Sequence, residues 1–162
     1  MTGETAMTKK VLLVLSTTGT PDDVIDFAVS KAAEWKSGIV ALYLLEEDLA
    51  NEAFDRFTDI GFIGDRPSAE LSESLMREYR QRGYEELGRV QIKTMEAGVD
   101  YEPLMEEGTF VAKALEVIER MDVGLAVVVK GRERAFKKYF AKSLADELKE
   151  NAPCEVVVFK EK

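Results

Sequence analysis

Short apolar runs alternate with stretches of helical periodicity along the whole chain, and this alternation limits the fold more than any other feature. Val11–Leu15, Ile39–Leu45 and Leu125–Val129 are continuous apolar runs bounded by polar residues. Runs of this length read as strands buried on both faces of a parallel sheet. Val99–Met105 and Cys154–Phe159 are two further strand candidates, and Pro103 assigns the former to a sheet edge. Helical segments lie between them. Thr20-Pro21-Asp22-Asp23 opens the first, with Thr20 as cap and Asp23 completing an acidic capping box. Its expected buried face is Val24, Phe27, Ala28 and Trp35, and Ser37-Gly38 is its expected stop. The second runs from about Ser68 to Ala97, with Leu71, Leu75, Tyr79, Leu87 and Val90 inward and Gly98 as terminator. Gly83 and Gly88 interrupt it, which predicts a kink or a close approach. The third covers Thr109–Met121, with Phe110, Ala114, Leu115 and Ile118 inward. The last opens at a Ser143–Asp146 capping box and stops at Ala152-Pro153. Between Asp48 and Arg66 the sequence suggests a short helix and then a loop.

Five strands interleaved with four helices predict an α/β domain, an open parallel sheet with helices on both faces. At 162 residues the chain is expected to be one domain, preceded by a polar tail over 1–9. Composition narrows the chemistry. There is no histidine, which removes His-based acid–base catalysis and His-containing triads. One cysteine, Cys154, cannot build a disulfide framework and reads as a small buried hydrophobe. The net charge of −9 argues against nucleic acid as a partner. The polar start and the short apolar runs predict a cytoplasmic protein with no membrane partner. Acidic clusters such as Glu46-Glu47-Asp48 read as solvated surface, so no metal is expected.

In open α/β sheets ligands bind beyond the carboxyl ends of the strands, where strand order reverses. The candidate loops here follow the first strand (Ser16, Thr17, Thr18, Gly19) and the fourth (Lys130, Gly131, Arg132 through Lys142 and Ser143), each leading into a helix N-terminus that favours anions. Residues 130–142 hold six basic side chains against one acid, while the remainder of the chain is strongly acidic. Such segregation concentrates phosphate ligands locally, although charge runs are more often a solvated face. No Walker loop and no Gly-x-Gly-x-x-Gly turn is present. Nothing supplies a phosphotransfer lysine, a histidine nucleophile or a phospho-acceptor Asp after a central strand.

The order of elements, the Ser16-Thr17-Thr18-Gly19-Thr20 turn after the first strand and the closing Lys142-Ser143, helix and Ala152-Pro153-Cys154-Glu155-Val156-Val157-Val158 phrase resemble the universal stress protein family. The resemblance covers Lys10 to Lys160. It implies a five-stranded parallel sheet of order 3-2-1-4-5, a stress-response role and a homodimer formed by the last strands. That dimer edge would be Cys154, Glu155, Val156, Val157, Val158 and Phe159, and a Val-rich exposed edge invites such pairing. ATP-binding members resemble one another in Gly-x2-Gly-x9-Gly-Ser/Thr after the fourth strand and an Asp after the first. Here those glycine positions are Val129, Arg132 and Lys142, Ser143 is kept, Gly131 is one residue out of register, and the Asp position is Thr18. Side chains at those places fill a cradle that glycine leaves open. The expectation is therefore a non-catalytic, homodimeric stress-response protein with further protein partners and no cofactor. The alternative is a module that binds ATP, another adenine nucleotide or phosphate through the basic loop.

Overall fold

The computed structural model describes residues 9–17, 19–46, 69–130 and 144–160. The element order is β1 (Lys10–Leu15), α1 (Asp22–Glu34), β2 (Gly38–Leu45), α2 (Ala69–Ala97), β3 (Asp100–Glu107), α3 (Phe110–Arg120), β4 (Val123–Lys130), α4 (Leu144–Asn151) and β5 (Glu155–Lys160). The strands form one parallel sheet of order β3-β2-β1-β4-β5. The expected fold and strand order are both met. The short helix and loop expected between Asp48 and Arg66 lie outside the described residues.

β2 is buried at every position and β1 from Val11 onward, so two layers of side chains leave the sheet. One layer (Val11, Leu13, Leu15, Ala41, Tyr43, Leu45, Val127) packs with α1 and α2. The other (Leu12, Val14, Val40, Leu42, Ala126, Val128) packs with α3 and α4. This two-sided burial is why the central strands read as unbroken apolar runs.

Several boundaries differ from the expectation. Thr20 does not cap α1. The cap position is Pro21 and no side chain bonds there, because the Thr20 hydroxyl accepts from the Ser16 amide at 2.8 Å instead. The buried face of α1 is Val24, Ile25, Ala28, Val29 and Ala32, with Phe27 and Trp35 on its margin. The helix is terminated by Lys36 at φ 54°, and Gly38 already belongs to β2. In α3 it is Ala114, Val117 and Ile118 that are buried, while Phe110 and Leu115 are partly so. Gly98 terminates α2 at φ +69°, as expected. Cys154 precedes β5 rather than opening it.

α2 is 29 residues long and carries both questionable glycines. At Gly83 a Cβ would lie 2.6 Å from the Tyr43 ring and 2.6 Å from the Met105 methyl. The close approach predicted for this helix is therefore real at Gly83, where the glycine lets the helix settle onto β2 and β3. Tyr101 reinforces the seat by donating its hydroxyl to the Leu87 carbonyl at 2.7 Å.

Candidate functional site

The sheet order reverses between β1 and β4, so the crevice expected for a ligand lies beyond Leu15 and Lys130. Thr17, Gly19 and Lys130 are described there. Thr18, Gly131, Arg132, Lys142 and Ser143 lie outside the described residues.

The β1–α1 turn is closed on itself. The Gly19 amide donates to the Ser16 carbonyl at 3.2 Å, at the φ of +102° that only glycine adopts without strain. The Ser16 amide donates to the Thr20 hydroxyl. The Thr20 amide donates at 2.9 Å to Oε1 of Glu86, which is buried, and Arg82 Nη1 donates to the Thr17 carbonyl at 3.1 Å. Both side chains come from α2. The other Glu86 oxygen accepts from Arg89 at 2.7 Å, and Arg89 also donates to Asp22 at the start of α1.

In the first turn three described amides donate inward, those of Ser16, Gly19 and Thr20, and the last already holds a carboxylate. A single guanidinium, Arg89, is shared by Glu86 and Asp22, and Asp23 adds another acid at the same helix start. These acids complement the positive end of α1. The hydrogen bond from Arg89, with its charge, holds the Asp22 carboxyl below the usual carboxylate range. Glu86, followed by Asp22, pushes the Arg89 guanidinium further toward its charged form.

On the other side of the crevice, Lys130 ends β4 and its ammonium lies 3.2 Å from Asp146 in the first turn of α4. The one described cation of the basic segment thus tethers a helix. Tyr43, near the carboxyl end of β2, is fully buried, and its hydroxyl has no hydrogen-bond partner among the described residues. Burial pushes that hydroxyl up to about 12. Arg82 stacks over Tyr79 beside it, 5.3 Å from the ring centre.

Arg82, Glu86 and Arg89 were not candidates from sequence, where α2 is read for its apolar spacing alone. Their spacing of four and three residues places them along one side of the helix, a polar line that could have been noticed. Among the described residues no cluster of His, Cys, Asp and Glu could hold a metal ion, and no helix is long and apolar enough to cross a membrane.

At the far edge of the sheet, β5 pairs only with β4 among the described residues. Val156 is buried, Val157, Val158 and Phe159 are half-buried, and Glu155 is exposed. Phe159 meets Phe27 edge-on at 5.2 Å, which fixes β5 against α1. Burial pushes the Cys154 thiol up, away from the reactive thiolate.

Comparison with the curated proteins returns no match. Among solved structures the chain is similar to a universal stress protein family member from Burkholderia pseudomallei, at 18% identity and TM-score 0.66, covering 95% of this chain and 97% of that one. It is similar to a universal stress protein from Archaeoglobus fulgidus in complex with dAMP, at 13% identity and TM-score 0.59, covering 93% and 96%. It is also similar to an Arabidopsis thaliana family protein with AMP bound, at 15% identity and TM-score 0.55, covering 95% and 92%. At these identities the likeness establishes the fold. The model of the universal stress protein family matches residues 7–160, and the chain belongs to that family.

Proposed function

We propose that this chain is a non-catalytic, cytoplasmic stress-response regulator, folded as one domain over 1–162, that works as a homodimer and does not hold ATP in the manner typical of its family. The observation that carries this reading is the β1–α1 turn, whose Ser16, Gly19 and Thr20 amides all donate inward, the last to the Glu86 carboxylate. A nucleotide reaching that turn meets carboxylates where a phosphate needs donors. Of the family's three glycine positions, Val129 lies within β4, paired with Phe159, and Arg132 and Lys142 follow the strand in sequence; that none is glycine agrees with a lost cradle. The free edge of β5, Glu155–Lys160, supports pairing with a second copy. Signalling would then pass through protein partners.

A second reading has its own support. Structural relatives carry dAMP and AMP, and the basic segment 130–142 follows β4 in sequence. A monophosphate needs a smaller anion site than a triphosphate. Arg132 and Lys142 could supply charge-assisted contacts in place of glycine amides.

Native mass spectrometry of the freshly purified protein, before and after adding AMP, ADP and ATP with Mg²⁺, separates the two. The first reading expects a ligand-free dimer that takes up none of them. Stoichiometric AMP, lost on Arg132→Ala and Lys142→Ala substitution, transfers support to the second. A monomer at all concentrations removes the β5 dimer.

A further inference from the structure

Among the described residues three large apolar side chains are mostly exposed: Tyr84 at 62%, Ile92 at 60% and Met95 at 72%. All three lie on α2. At the helical repeat they fall with Gly88 on one face, turned away from the side where Gly83, Leu87, Val90 and Thr94 are buried. Gly88 sits at the centre of this stripe. A Cβ there would meet nothing within 4 Å, so no neighbour among the described residues calls for glycine. A glycine inside a helix nevertheless weakens it relative to alanine. What glycine does provide is room for another backbone to come close.

The stripe is symmetric about that residue. Tyr84 lies as far before Gly88 as Ile92 lies after it, and Gln81 as far before as Met95 after. A copy related by a two-fold axis through Gly88 runs antiparallel and sets Tyr84 level with the partner's Ile92, which is the self-complementarity a two-fold interface requires. The charges follow the same pattern. Arg77 stands on the amino-terminal side and Glu96 on the carboxyl-terminal side, and neither forms an ion pair among the described residues. Antiparallel pairing brings Arg77 toward the partner's Glu96. Parallel pairing would oppose like with like.

We propose that the outer face of α2 is a self-association surface, on which a second copy of this chain packs antiparallel with the two helices crossing at Gly88. α2 lies over β2 and β3, whereas β5 is the opposite edge of the sheet, so this contact does not compete with pairing through β5. A few helical turns bury less than the roughly 800 Å² per partner of a standard interface. The association is therefore concentration-dependent.

Cysteine cross-linking tests the axis directly. A residue on a two-fold axis neighbours its own copy, and a crossing at glycine places the α-carbons within the roughly 4.4–6.8 Å that a disulfide spans. In a Cys154→Ser background, Gly88→Cys should oxidise to a covalent dimer at least about tenfold faster than Glu119→Cys on the exposed side of α3. Equal rates overturn the proposal. Sedimentation equilibrium tests the charges. Arg77→Glu and Glu96→Arg should each weaken association about tenfold, and the double variant, which restores opposite charges across the axis, should recover it. Wild-type association in both single variants, or no recovery in the double, also overturns it. Thermal unfolding of each variant separates loss of contact from loss of fold.

Discussion

Gly83 and Gly88 stand five residues apart on the same helix and do opposite things. Gly83 is walled in: a Cβ would sit inside contact distance of Tyr43 and Met105. Gly88 faces open space. In the sequence both are the same interruption of a helical pattern. The contrast shows that a helix glycine acquires its meaning from what lies across from it. The inner face of α2 is fixed by packing within the chain, and the outer face is free to serve something outside it.

The largest test of this contrast is Gly83→Ala. It gains helix propensity, but the new methyl overlaps a buried ring on a central strand. A net loss of about 2–3 kcal/mol in urea unfolding is expected. A neutral result would mean that Tyr43 and Met105 move aside at little cost and that the two faces are not so different.

Next is Glu86→Ala, which probes the polar part of the inner face. It strands the buried Thr20 amide and should cost about 2 kcal/mol. Glu86→Gln keeps an acceptor for that amide and should cost distinctly less. Hydrogen exchange at residues 16–20 should accelerate in the alanine variant, because α2 would no longer clasp the turn.

The outer face gives a smaller effect of opposite sign. Gly88→Ala should raise stability by about 1 kcal/mol, measured at a concentration low enough to keep copies apart. Tyr43→Phe should be neutral or raise stability by up to about 1 kcal/mol, since it deletes a buried hydroxyl that has no partner among the described residues.

The smallest effect is in pH. Arg89 lowers the Asp22 pKa from its ordinary value of 3.8. A depressed folded-state pKa gives stability that is fully present above the unfolded value and is lost as pH falls through the folded one. Asp22→Asn should therefore cost a little stability at pH 7, where the contribution is fully present, and the difference from the wild-type chain should vanish as pH falls below about 4. The pair is exposed, so screening keeps the change small.

The two edges of the sheet repeat the lesson in another form. β3 carries Pro103 and a row of acids, and Lys10, Arg80, Lys113 and Arg120 pair with Glu102, Glu107 and Glu106 along it. A proline and charged side chains discourage a further strand there. β5 ends the sheet with three valines and a phenylalanine. Pro103 already assigned β3 to an edge from sequence, because its effect on pairing is local. The β5 edge was expected only through the family resemblance, since no residue in it announces that one side is free.

Periodicity alone determined the five strands, four helices and parallel arrangement, because burial on two faces writes continuous apolar runs into the chain. Composition determined that histidine chemistry is unavailable. Only the tertiary structure decided how the β1–α1 turn is used. The contact that closes it joins Thr20 to Glu86, 66 residues apart, and no local pattern encodes a partner at that distance. The turn reads as an anion site when its amides are considered alone. The fold lays α2 across it, so that the described amides donate to Glu86 and within the turn itself.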